Sequence, residues 1–314
     1  MNPPEQWRVF IRVAELASFT QAALSLGLPK AKVSTAVQQL ENALGTRLLH
    51  RTTRKVQLSQ DGQRFYERCI DLLAELDDLQ SMFQQTGAQS LRGRVRVDMS
   101  TGLARHAVMP RLPELLRAHP LLEVELSCTE RRVDLVREGF DCVLRAGQVV
   151  DAGLIGRPLG HLRMVNCASP AYLAQHGVPV DLADLSRHQL VHYVNTLGAR
   201  SGGFDYLEAG QPRQLAMSGA VTVDNAEAYT SACLAGLGII QVPVAGVRDW
   251  LVRGDLVVLL PEWTPAPMPL NLLYVSRRNL SRRVRLVMDW LAGVTQDYLS
   301  QRNAEPGGPA TDNA

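Results

Sequence analysis

Near the start of the chain, apolar residues recur at helical spacing: Trp7, Phe10, Val13, Ala14 and Ala17 form one stripe, and Pro3 and Pro4 suit a first turn. Thr20 can cap a short second helix whose inner positions, Ala22, Ala23 and Leu26, let another helix cross closely, before Gly27 and Pro29 interrupt. A third helix is predicted from Lys30 to Leu44, with Val33, Val37, Leu40 and Leu44 inward and Gly45 as its stop. Its other face carries Lys30, Ala31, Ser34, Thr35, Gln38 and Asn42. From Arg47 to Leu58 short apolar pairs flank a basic turn, as in a β-wing. Beyond Ser59, a cap, one long helix is predicted with Phe65, Cys69, Leu72, Leu76, Leu79 and Phe83 spaced 4, 3, 4, 3 and 4. That heptad seam runs through a helix of about 28 residues, or ~42 Å, and acidic residues border it, which suits pairing with a second copy.

After the linker-like stretch Gly87 to Gly93 the period changes. Strands are predicted at Arg94 to Met99, Val124 to Cys128, Cys142 to Leu144, Arg163 to Cys167, Leu190 to Val194, Ile239 to Val242, Leu256 to Leu260 and Leu270 to Val275. They alternate with helices at Leu103 to Ala118, Val133 to Glu138, Pro170 to His176, Asn225 to Leu237, Ala245 to Leu251 and Arg282 to Leu291, which argues for an α/β fold with largely parallel sheets. Gln301 to Ala314 reads as a disordered tail.

Composition narrows the function. The 314 residues suffice for two or three domains, and 46% hydrophobic with 20% charged residues suits packed cores. No apolar run reaches the ~18 residues of a spanning helix and no secretory signal is evident, so no membrane is expected and the cytoplasm is the expected location. Five scattered cysteines lack C-x-x-C spacing and no two histidines sit four apart, so neither a disulfide framework, a metal site nor a cofactor is expected. Charge is uneven: residues 1 to 60 carry eight Lys/Arg against three Asp/Glu, and residues 61 to 90 two against six. The basic N-terminus can meet a polyanion. Two helices joined by a Gly-containing turn suit a helix-turn-helix or a plain helical bundle, and the basic wing favours the former. In that reading Ala31, Ser34, Thr35 and Gln38 face bases, while Lys30, Lys32, Arg51, Arg54 and Lys55 meet phosphates.

The frame Phe10, Val13, Ser18-Phe19-Thr20, Ala22-Ala23, Leu26, Val33-Ser34, Val37, Leu40-Glu41, Leu44-Gly45, Leu48, Arg51, Leu58 and Gly62 resembles the N-terminal domain of LysR-type transcriptional regulators. Arg51-Thr52-Thr53-Arg54 and Ala168-Ser169-Pro170-Ala171-Tyr172-Leu173 look like one large subgroup of that family. Three positions depart from it: Pro29 stands where a serine is common, Thr35 where Arg is frequent, and Leu58-Ser59 where Leu-Thr is usual. These bear on the DNA site and leave the fold intact.

The resemblance implies a winged helix-turn-helix (1–58), a linker and dimerisation helix with hinge (59–91), and a two-lobed periplasmic-binding-protein-like α/β effector domain (92–300). Lobe one would be 92–163 with 268–295, lobe two 164–267, and 301–314 a tail. It implies double-stranded DNA, a small-molecule effector and further copies of the chain, as homodimer and homotetramer, as partners, and admits RNA polymerase. Ligands of open α/β sheets sit at the strands' carboxyl ends, where helix N-termini point. On that basis Ser100 and Thr101 make a carboxylate seat, and Thr129, Arg145, Asn195, Thr196 and Asn225 are further effector candidates, although each also suits a cap or turn. A carboxylate metabolite is then the expected effector. The competing class, a cytoplasmic α/β ligand-binding protein or enzyme, meets no G-x-S-x-G, P-loop or H-E-x-x-H and leaves wing and seam unexplained.

Overall fold

A computed structural model of the chain describes residues 1–51, 56–82, 91–147, 153–275 and 280–303. The N-terminal unit packs α1 (Pro3–Leu16), α2 (Phe19–Leu26) and α3 (Lys30–Leu44) against the hairpin of β1 (Leu49–Arg51) and β2 (Val56–Leu58), and α4 (Gln60–Met82) comes next. Its core joins Phe10 and Val13 of α1, Ala22 and Ala23 of α2, and Val33, Val37 and Leu40 of α3. Leu44 is exposed, a correction to its expected inward position: it is the last residue of α3, just before the Gly45 cap turns the chain away. The second helix is capped by Ser18, which accepts from the Gln21 N–H, and not by Thr20. Pro29 precedes α3 without a side-chain cap. Ser59 caps the first turn of α4 by accepting from the Gly62 N–H at 2.9 Å, and its hydroxyl donates to the Arg47 carbonyl at 2.6 Å.

The remainder forms two lobes. In the first, a five-stranded sheet has the order β4 (Leu122–Cys128), β3 (Gly93–Met99), β5 (Cys142–Ala146), β14 (Met268–Val275) and β6 (Leu154–Leu162). β3 runs parallel to β4 and β5, whereas β14 runs antiparallel to β5 and β6. The helical stretch after β3 is α5 (Thr101–Leu103), a π turn over Ala104–Val108 and α6 (Met109–Ala118). Short α7 (Leu135–Glu138) precedes β5, and α11 (Arg282–Arg302) closes the lobe core with Val284, Val287, Met288 and Leu291. That last helix continues well past Leu291 and through Gln301 and Arg302, because Val294, Thr295 and Tyr298 extend its buried face.

The second lobe holds a sheet in the order β12 (Ile240–Pro243), β7 (Met164–Ala168) and β13 (Val257–Leu259), antiparallel at both junctions. A parallel pair, β8 (His192–Tyr193) with β11 (Thr222–Val223), and a hairpin, β9 (Phe204–Glu208) with β10 (Gln211–Leu215), lie beside it. Helices α8 (Pro170–His176), α9 (Ala226–Leu234) and α10 (Val244–Arg253) complete it. Largely parallel sheets were therefore expected in excess. Among the described residues parallel pairing is confined to β3, β4 and β5, to β8 with β11, and to a bridge between Leu190 and Ile239. The chain leaves the first lobe through β6 and returns through β14, and an outgoing and a returning strand side by side must be antiparallel.

The N-terminal unit rests on the first lobe. Glu15 is almost buried and receives Arg12 at 2.9 Å with Arg94 at 3.7 Å, while the Tyr66 hydroxyl donates to the Val136 carbonyl at 3.2 Å.

Candidate functional site

Two sites emerge, one on each part of the chain. The first is the outer face of α3, where Lys30, Ala31, Lys32, Thr35 and Gln38 are exposed side by side and Ser34 is half-buried at the edge. Inward Val33, Ala36, Val37 and Leu40 fix that orientation by their burial. The nearest acid, Glu41, is turned away: its Oε1 accepts from the Leu48 and Leu49 N–H groups at 2.9 and 3.1 Å and ties the wing to the helix. A carboxylate-free, lysine-flanked helix face beside a hairpin is able to enter a major groove. Arg51 belongs to β1, while Arg54 and Lys55 lie outside the described residues.

On α4 the expected seam divides. The Phe65 ring lies 5.6 Å from that of Phe10 and 6.5 Å from that of Trp7, and Cys69 is buried, so both pack inside their own chain. Their assignment to a partner contact is corrected on that ground. Leu72 is 48% exposed, and Leu76 is half-buried. The side chain of Leu79 and the whole of Phe83 lie outside the described residues.

The second site is a cavity of about 390 Å³ between the lobes, within the range of small-molecule pockets. Strands from both lobes contribute to it, with Met164 of β7 and Met268 of β14 in its wall. Of the effector candidates Ser100, Arg145 and Asn195 line it; Thr101, Thr129, Thr196 and Asn225 are not on its wall. Asn225 is spent as the cap of α9, its Oδ1 accepting from the Glu227 and Ala228 N–H groups. The Thr129 hydroxyl donates to Asp98 Oδ2 at 3.0 Å. Arg145 is engaged as well, pairing with fully buried Asp98 and donating to the carbonyls of Thr129 at 2.6 Å and Arg131 at 2.8 Å. Burial pushes the Asp98 carboxyl up from its ordinary pKa, against hydrogen bonds from Ser127 and Thr129 and the Arg145 charge, which pull it down.

The carboxylate seat expected at Ser100 and Thr101 is already filled. The Thr101 N–H donates to Glu130 Oε1 at 3.0 Å, so the chain's own carboxylate takes the first N–H of this helix. Sequence reasoning stopped one residue short here: Glu130 comes directly after Thr129 at the end of β4 and obeys the same strand-end logic. Tyr193, two residues before Asn195, was missed in the same way. His106, Glu227, Tyr229, Trp250 and Tyr298 also line the cleft, from helices whose facing could not be read without their neighbours. Burial, then Arg105, holds the His106 pKa below its usual value, which favours the neutral ring. Tyr193 is pushed up to about 12 by burial, then by the charges of Glu130 and Asp224. The Tyr193 and Tyr229 rings stand 5.3 Å apart, and the Tyr229 hydroxyl accepts from the Gln241 N–H at 3.1 Å. Among the described residues no group of side chains could hold a metal ion, and no helix is long and apolar enough to cross a membrane.

Comparisons with known proteins agree with both halves of this picture. The family described as the bacterial regulatory helix-turn-helix protein, lysR family, matches residues 4–63, and the LysR substrate binding domain matches residues 88–296. The uncharacterized HTH-type transcriptional regulator YhjC of Escherichia coli strain K12 is 47% identical over 299 residues, covering 95% of this chain and 100% of that protein. The HTH-type transcriptional regulator DmlR of the same strain is 34% identical over 284 residues, covering 90% and 92%. Among solved structures, CrgA of Neisseria meningitidis, a LysR-type transcriptional regulator, aligns with a TM-score of 0.57 and 30% identity over 93% of this chain and 98% of that one. The full-length Vibrio cholerae virulence activator AphB aligns with a TM-score of 0.56 and 28% identity over 92% and 98%. A helix-turn-helix with its wing at one end and a two-lobed α/β domain at the other are thus matched in order and along nearly the whole length, and the chain belongs to the LysR family of transcriptional regulators.

Proposed function

We propose that this regulator binds promoter DNA as a dimer or tetramer and changes its arrangement on the DNA when a small molecule closes the cleft. Residues 1–58 read the operator, 59–91 pair the chains, and 92–300 sense the effector. Thr35 and Gln38, beside Ser34 and Ala31, meet base edges, while Lys30, Lys32, Arg51, Arg54 and Lys55 hold phosphates. Leu72 and Leu76, with Leu79 and Phe83 beyond them, supply the contact between copies. Its activity is binding and not turnover, its place is the cytoplasm with the chromosome, and RNA polymerase is the partner through which a changed arrangement would act.

The observation that carries the reading is the exposed face of α3, polar, lysine-flanked and cleared of carboxylate because Glu41 is bound to the wing. The test is selection of genomic fragments by the full-length protein, followed by binding across a range of salt. Gln38→Ala should relax preference at one base pair by ~1–3 kcal/mol, and Arg54→Ala should weaken all sequences and flatten the salt slope. Equal effects of the two variants on every sequence would refute this division of roles.

A further inference from the structure

The wall of the cleft carries few charges, and most are answered within the chain. Arg145 is neutralised by buried Asp98 and its N–H groups are taken by carbonyls. Glu227 pairs with Arg105 at 2.6 Å, and Arg105 is not on the wall. The helix N-terminus after Ser100, the natural place for an anion, already holds Glu130. Glu130 itself has the Thr101 N–H and, among the described residues, no ion pair. Glu130 and Tyr193 both line the cavity, and the Tyr193 ring lies 5.3 Å from that of Tyr229. The rest of the surface is largely apolar, with Leu103, Val247, Trp250 and Met268.

From this arrangement we infer that the effector is an amine on an apolar or aromatic body, its ammonium seated between Glu130 and Tyr193. The inference rests on the reading of the cleft as the effector site. An ammonium there gains a charge-assisted hydrogen bond to a carboxylate that has no ion pair among the described residues, and a tyrosine ring on the same wall favours it further. A carboxylate entering the same place would have to expel Glu130 from the Thr101 N–H or lie beside it, a like-charge contact that no free cation among the described residues of the wall offsets. The apolar wall then takes the body of the ligand, which makes the cleft selective by charge at one end and by shape at the other.

Three probes of similar body and different charge test this: 2-phenylethylamine, 2-phenylethanol and phenylacetate, titrated by calorimetry into the full-length protein at neutral pH. The amine should bind at least about tenfold more tightly than phenylacetate, with the alcohol between them. Glu130→Gln keeps an acceptor for the Thr101 N–H and should weaken the amine about tenfold while sparing the alcohol. Gly246→Phe fills the cavity: Gly246 lines it, and a Cβ added there meets nothing within 4 Å. That variant should abolish binding of every probe. Tighter binding of phenylacetate, no amine binding at millimolar concentration, or amine affinity unchanged by Glu130→Gln would overturn the amine and leave the cleft standing. Probe binding that survives Gly246→Phe would instead overturn the cleft as the site.

Discussion

Arg145→Met separates the two roles that this residue could have, structural floor or ligand contact. Its guanidinium faces Asp98, which has no exposed surface, and also donates to two backbone carbonyls. Removing it leaves a buried carboxylate with its hydrogen bonds and only the charge of exposed Arg131 to answer it, a change worth about 3–5 kcal/mol in comparable buried pairs. For a domain of this size 1 kcal/mol moves the midpoint by about 2–4 °C, so the effector-domain transition should fall by roughly 6–20 °C. The exposed pair of Arg213 and Glu208, with side chains 58% and 53% exposed, is the control: Arg213→Ala should cost only about 0–1 kcal/mol. Asp98→Asn combined with Arg145→Met should cost less than the sum of the single changes, because neither charge is then left alone. Scanning calorimetry of the full-length chain reads all four. An Arg145→Met midpoint within about 1 kcal/mol of the parent would refute the reasoning, since it would mean that Asp98 finds water or a proton without strain.

Three further outcomes are expected on the same structural grounds. Gly62→Ala would put a Cβ 1.9 Å from the Leu48 carbonyl oxygen, so α4 must move off the wing; urea unfolding should show a loss of at least about 1–3 kcal/mol, and DNA affinity should fall with it. Leu72→Glu with Leu76→Glu should yield a poorly associating protein by sedimentation, and an intact dimer would move the contact elsewhere. His106 and His188 both have pKa values lowered by burial, so the unfolded chain binds more protons and stability should drop as pH falls through the ordinary histidine range, from about pH 7.5 to 5.5. The double Asn variant should flatten that slope in thermal melts, and an unchanged slope would show that other groups set it.

How far each region could be read depended on how local its determinants are. The N-terminal helices came close to their true limits because Pro3, Gly27, Pro29 and Gly45 punctuate them within a turn of each end. The choice of Ser18 over Thr20 as cap shows the resolution of such a reading, since both residue types suit the position and only backbone geometry separates them. Helix α8 was legible to the residue because Ser169 and Pro170 open it and Gly177 comes directly after it. Strand β6 was not, because Gly156, Pro158 and Gly160 break its apolar pattern while β14 holds it in place. The hairpin of β9 and β10 was missed for a similar reason: Gln211, Pro212, Arg213 and Gln214 are polar or strand-poor, and pairing with β9 places them.

The sequence by itself determined the order of parts, the helix-turn-helix with its polar outer face, the basic wing and the α/β character of the C-terminal two-thirds of the chain. Each of these depends on periodicity, capping or charge within a few turns of chain. Only the tertiary structure decided what those residues do once folded. Phe65 and Cys69 have the spacing of a partner seam, yet the nearness of Phe10 draws Phe65 into its own chain and Cys69 is buried with it. Ser100 and Thr101 have the local form of an anion seat, yet Glu130, brought in from the neighbouring strand, fills it. Arg145 looks like a free cation until Asp98, 47 residues earlier, is placed against it. Whether a polar or apolar group is available depends on which distant partner reaches it first, and that is a property of the packing that local pattern does not encode.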